Sequence, residues 1–175
     1  MKNKIRYKLS PQMKIYDKLE VNWSPYLMFK QNKDIKSLCL NTDEYGLRFT
    51  DEEGNNQERY TLLSETQKIQ EKQIAVVGGS FAFGVGASSD SKTISSILSK
   101  KSNYKVYNLG MRAHNSFQEL INFQLMTSKF SNLKYIILAS GFNDIFLSRY
   151  IDSKEKFHSP FFYQSEFANK MNYPS

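Results

Sequence analysis

The chain has 175 residues, of which 40% are hydrophobic and 14% aromatic. That suffices for one domain with a sizeable core and argues against wholesale disorder. No apolar run reaches the roughly 20 residues of a membrane span, and no apolar segment follows the basic "MKNKIRYKLSPQ" start, so a cytoplasmic protein without signal peptide or transmembrane segment is expected.

The net charge is +7. Much of it sits before residue 19, where Lys2, Lys4, Arg6, Lys8, Lys14 and Lys18 face only Asp17. Such an arm suits phosphate backbones or anionic headgroups, but a solvated terminal segment is the plainer reading. No RNA-binding aromatic signature or helix-turn-helix pattern accompanies it, so nucleic acid is not favoured. Cys39 is alone, which excludes an internal disulfide and a cysteine zinc cluster.

In chain order, residues 1–70 form an N-terminal extension with weak periodicity. Its "SLCLNTDEYGLRFTDEEGNNQERY" reads as extended pieces around turns at Gly46 and "DEEGNN". Residues 71–150 change character. "QIAVVGG" is a short buried strand bounded by glycine. "SKTISSILSKK" is a helix with Ile94, Ile97 and Leu98 at helical spacing. "YKVYNLG" is a second strand ending in Gly110. A helix from about Ser116 to Phe130 follows, with Ser116 and Glu119 as its capping box and Phe117, Leu120, Ile121 and Leu125 lining one face. "KYIILASGFND" is a third, very apolar strand. Residues 151–175 are an aromatic tail.

Alternation of strand and helix implies an α/β fold: a parallel sheet with flanking helices, three-layered and flavodoxin-like, ending after its third core strand. Ligands bind such sheets beyond the carboxyl ends of the strands. The junctions at Gly78-Gly79-Ser80, Gly110 and Gly141 all fall on that edge, so three loops converge there.

The loop "GGSFAFGVG" fails the phosphate-loop pattern because Val85 stands where a lysine is needed. It fails the dinucleotide fingerprint at Ser89, and the G-x-S-x-G elbow at Ala82. A flavodoxin-like phosphate site remains as an outside alternative. A nucleophilic serine fits better. Ser80 directly follows a strand, glycines before it admit a substrate, and N–H groups of the next turn can face an oxyanion.

These residues carry a family resemblance. "GGSFAFGVG" resembles the first block of the SGNH, or GDSL, hydrolases. "YNLGMRAHNSFQEL" is similar to the second and "ILASGFND" to the third, G-x-N-D. The resemblance covers about residues 74–150. It implies Ser80 as nucleophile and, through its N–H, an oxyanion donor. It further implies Gly110 as a second backbone donor, Asn143 as a side-chain donor, and Asp144 as a brace for its loop. Two departures stand out. Gly79 replaces the usual aspartate of the first block. The family's base is a histidine in a D-x-x-H block, whereas this chain has only His114 and His158, neither in that setting. A serine without a base is a poor nucleophile. His114 reads as a surface or loop residue.

The expected function is therefore an SGNH-type serine ester hydrolase, an esterase or deacetylase. It would act on a small acyl ester or acylated carbohydrate through an acyl-enzyme on Ser80. Its base would come from His158, a partner chain or a further segment. No metal or organic cofactor is implied. The alternative is an inactive or split module, a homo-oligomer or a partner-completed sheet, acting in binding or assembly. Each motif also has a plainer role: Ser80 and Asn143 as helix caps, Gly110 as a turn, the tail's aromatic residues as packing.

Overall fold

A computed structural model of the chain describes residues 2–54, 59–63 and 71–149. Two short helices open it, α1 (Lys2–Leu9) and α2 (Met13–Tyr16). Strands β1 (Val21–Ser24) and β2 (Met28–Gln31) then pair antiparallel, with Trp23 opposite Phe29. A two-residue pair follows, β3 (Thr50–Asp51) with β4 (Arg59–Tyr60). The rest alternates as expected: β5 (Gln73–Gly78), α3 (Ser80–Phe83), α4 (Ile94–Lys101), β6 (Lys105–Asn108), α5 (Ser116–Met126), β7 (Leu133–Ala139) and α6 (Phe142–Ser148).

The three last strands form one parallel sheet in the order β6-β5-β7. The architecture is mixed α/β, a parallel sheet with flanking helices. β5 is central and buried along its whole length, which is why it reads as an unbroken apolar run. Its side chains alternate between the two faces. Ala75 and Val77 join Leu47, Tyr60, Tyr107, Leu109 and Met126 on one side, while Ile74 and Val76 meet Ala82, Val106 and Leu98 on the other. Gly78 lies opposite Ala139 in the register, so the loops leaving β5 and β7 start side by side.

Three details differ from the sequence reading. First, α5 is capped one residue earlier than expected. Asn115 Oδ1 accepts from Gln118 N at 3.0 Å and Gln118 Oε1 accepts from Asn115 N at 3.1 Å, so the box is Asn115–Gln118 and not Ser116–Glu119. Asparagine is the stronger cap here because its side chain reaches the third helical N–H while its own backbone stays extended. Second, α5 ends at Met126, and a 3-10 turn, Thr127–Lys129, completes the segment. Third, the faces of α4 and α5 are not sorted by polarity. α4 buries Ser95, Ser96 and Ser99. α5 buries Gln118, Glu119, Asn122 and Met126, while Phe117, Leu120 and Leu125 are exposed. The buried amide N–H groups donate to backbone carbonyls: Gln118 Nε2 to Leu27 O at 2.6 Å and Asn122 Nδ2 to Leu109 O at 3.1 Å.

The N-terminal segment is stitched to the loop after Ser80 by Arg48, whose side chain is fully buried. Its guanidinium donates to Asp90 Oδ1 (2.8 Å), Gly84 O (2.7 Å), Tyr16 Oη (2.8 Å) and Cys39 O (2.6 Å). Asn41 Nδ2 completes the Asp90 carboxylate at 2.7 Å. Every arm of the fork is used, the condition under which a buried ion pair is tolerated.

β7 is apolar yet open: Tyr135, Ile136, Ile137 and Leu138 are exposed, as are Ile145 and Phe146 of α6. Among the described residues no helix is long and apolar enough to cross a membrane.

Candidate functional site

Ser80 is the first residue of α3, immediately beyond β5. Its carbonyl accepts from Gly84 N and Val85 N, both at 3.0 Å, and the Gly79 carbonyl accepts from Phe83 N at 3.0 Å. The backbone around the serine is thereby fixed by the turn that follows it. No hydrogen bond among the described residues engages the Ser80 hydroxyl.

A cavity of about 250 Å³ opens at this point, lined by Gly79, Ser80, Phe81, Glu119, Ala139, Gly141, Phe142 and Asn143. It sits where the ends of β5 and β7 adjoin. Phe81 and Phe142 are largely exposed and form an apolar rim.

Asn143 lies in the first turn of α6. One hydrogen of its amide donates to the His114 carbonyl at 2.6 Å. That fixes the amide plane and leaves the second N–H of Nδ2 without a bond among the described residues. The accepting carbonyl follows Ala113, whose φ of 61° is left-handed, a conformation costing roughly 1–2 kcal/mol for a non-glycine residue. Asp144 accepts from Ser116 N (3.0 Å) and Ser116 Oγ (2.6 Å). The start of α6 is thus tied to the start of α5.

Gly79 shows why the first block carries glycine. A Cβ there would lie 2.9 Å from Asn143 Nδ2, 3.3 Å from Glu119 Oε1 and 3.4 Å from the His114 carbonyl. An aspartate would crowd the amide and set a second carboxylate against Glu119. The missing side chain is the room in which those groups meet.

Gly110 does not line the cavity. Its N–H donates to Asn108 Oδ1 at 3.0 Å, and a Cβ there would collide with the backbone of Ala82 and Phe83. The glycine lets the α3 turn press directly on the end of β6. Ser80 and Asn143 are brought together at one cavity; His158 lies outside the described residues.

His114 is fully buried and not on the surface. Its Nε2 is 2.8 Å from the Phe29 carbonyl. A carbonyl only accepts, so Nε2 carries the proton and Nδ1 is bare, without a partner among the described residues. Burial pushes its pKa down to about 4, so the ring is neutral at neutral pH.

Glu119 is a further polar group of the cavity, read from the sequence only as half of a cap. Its residue is 4% exposed, and Oε2 has no hydrogen-bond partner among the described residues. Burial raises its pKa to about 7; the Ser140 hydroxyl acts against that shift, and the Asp144 carboxylate adds to it. The signal that would have found it is position: an acid in the first turn of a helix starting at the carboxyl edge of the sheet points back at that edge.

Among the described residues no cluster of histidine, cysteine and carboxylate side chains has the make-up of a metal site. Comparison with known proteins found no matching family model and no matching curated protein.

Proposed function

We propose that the chain is a serine ester hydrolase of the SGNH type, built on a flavodoxin-like sheet and acting on a small acyl ester, such as an acetylated carbohydrate. The observation that carries this reading is the shared cavity. A serine hydroxyl that no described residue engages and an amide N–H held by its neighbours line the same small space, just beyond two adjacent strands. The space is below the roughly 300–1,000 Å³ of drug-sized pockets, which favours a short acyl group over a long one.

In the proposed reaction, Ser80 Oγ attacks the ester carbonyl carbon and gives up its proton to a base. The carbonyl oxygen becomes an oxyanion, which the Ser80 N–H and Asn143 Nδ2 stabilise. Collapse of the intermediate expels the alcohol, which takes the proton, and water then releases the acid from the acyl-enzyme. His114 is unsuited to be the base, because its ring is buried and bonded to Phe29. His158 is the other imidazole of the chain. Gly110 contributes by letting α3 approach the sheet.

The test is turnover of p-nitrophenyl acetate by the full chain and by Ser80→Ala. Loss of turnover in the variant is expected; equal rates remove Ser80 from the reaction.

A second reading, a module that completes its sheet with another chain, is favoured by the apolar, exposed β7. An unpaired apolar edge strand is a template for pairing. Sedimentation showing a monomer at all concentrations counts against it.

A further inference from the structure

We propose that the Glu119 carboxyl, in its protonated form, is a catalytic residue that donates a hydrogen bond to the acyl carbonyl oxygen beside Asn143. The inference rests on the hydrolase reading above and adds a donor, within the second of the three sequence blocks, to which the resemblance assigns no role.

The position of the group comes first. Glu119 reaches the cavity from α5, and Oε1 lies at the bare face of Gly79, the same face that Asn143 Nδ2 approaches. Asn143 Nδ2 is the donor on that side of the cavity, and Ser80 follows Gly79 directly. In the hydrolase reading, an ester oxygen held by Asn143 Nδ2 lies on the same side of the cavity as this carboxyl.

The ionisation state comes second. A buried carboxylate is stable only when paired or richly hydrogen-bonded. Glu119 has neither. The groups facing it are the Ser140 hydroxyl from the loop after β7, the Asp144 carboxylate from α6, and the uncharged backbone and amide of Gly79, His114 and Asn143. None is a cation, and Asp144 has the same sign. Oε2 finds no partner among the described residues. This surrounding favours the neutral acid, which owns an O–H to give. The charged form would stand beside the developing oxyanion and repel it. A buried acid kept neutral to serve as an oxyanion donor is an established device in enzymes.

A proton-accepting role for Glu119 makes the opposite forecast, so one set of variants decides. The probe is p-nitrophenyl acetate and the readout is kcat/KM between pH 5.5 and 9 for the full chain, Glu119→Gln and Glu119→Leu. Glutamine keeps a permanent donor and cannot lose a proton. The wild-type rate is expected to fall above about pH 7. In Glu119→Gln that alkaline fall disappears, with rates within about tenfold of the wild type at pH 6. In Glu119→Leu the rate is about 100-fold below the wild type at pH 6, the scale of one lost oxyanion donor, and the gap closes as the wild type loses its own donor above about pH 7. A glutamine variant as slow as the leucine variant overturns the inference, as does an alkaline fall that survives in Glu119→Gln.

A readout independent of turnover accompanies this. In protein labelled with 13C at glutamate Cδ, the resonance that vanishes in Glu119→Gln is expected to titrate near pH 7. Titration at the ordinary carboxylate value overturns the inference even with the hydrolase reading intact. Absence of ester turnover in the wild type and in Ser80→Ala alike removes the hydrolase reading, and this inference falls with it.

Discussion

Replacing Glu119 by glutamine should change how stability depends on pH, and the size of the change follows from the site. The folded-state pKa is raised from 4.5 to about 7 by burial. Between those values the folded chain holds a proton that the unfolded chain has released. Stability must therefore fall as pH rises through this window, and the loss is complete above about pH 7. At 1.36 kcal/mol per pKa unit the loss is roughly 3 kcal/mol. His114 acts in the opposite sense. Its pKa is lowered from 6.5 to about 4, so the unfolded chain binds the extra proton and stability rises with pH between those values. The two slopes nearly cancel from about pH 4.5 to 6.5, leaving the wild-type profile flat there and falling beyond. Glu119→Gln removes one slope only. Its stability, from urea unfolding followed by far-UV circular dichroism, should gain on the wild type by about 3 kcal/mol between pH 4.5 and pH 8. Parallel profiles would show that Glu119 is an ordinary solvated carboxylate in the fold, and the argument from its burial would fail.

Truncating Arg48 to alanine leaves Asp90 charged and buried without its cation, with an expected loss of about 3–5 kcal/mol in urea unfolding. Arg48→Lys should rescue only part of this, because an ammonium cannot span Asp90, Gly84 and Cys39 together. Gly110→Ala drives a methyl group into the Phe83 backbone. A destabilisation of about 1–3 kcal/mol is expected, together with a loss of ester turnover under conditions where the variant is still folded, since α3 carries Ser80.

The parallel core was legible because its strands are short apolar runs closed by glycine. β5 in particular, "QIAVVGG", is buried on both faces. The meeting of Ser80 with Asn143 was legible from topology alone, as parallel strands deliver their following loops to one edge. Polarity was a poor guide to the helices. Gln118 and Asn122 turn inward because carbonyls of Leu27 and Leu109 await them, and those partners are distant in sequence. Helices α1 and α2 carry almost no apolar periodicity and were not visible in it. Glu119 was hidden by a one-residue ambiguity. With Ser116 as cap the glutamate belongs to the backbone; with Asn115 as cap it is released to the cavity. The close packing of Gly110 on α3 needed coordinates, since a glycine at a strand end has the same appearance whether it donates to a ligand or admits a neighbour.

The central claim is that Ser80 is the reactive group of this cavity, and covalent labelling tests it without a choice of substrate. The full chain is treated with a fluorophosphonate ester, digested, and mapped by mass spectrometry. The expected result is a single phosphonyl adduct on Ser80, absent from Ser80→Ala and slowed in Asn143→Ala. An intact chain with no adduct, or an adduct on another residue that persists in Ser80→Ala, would contradict the account.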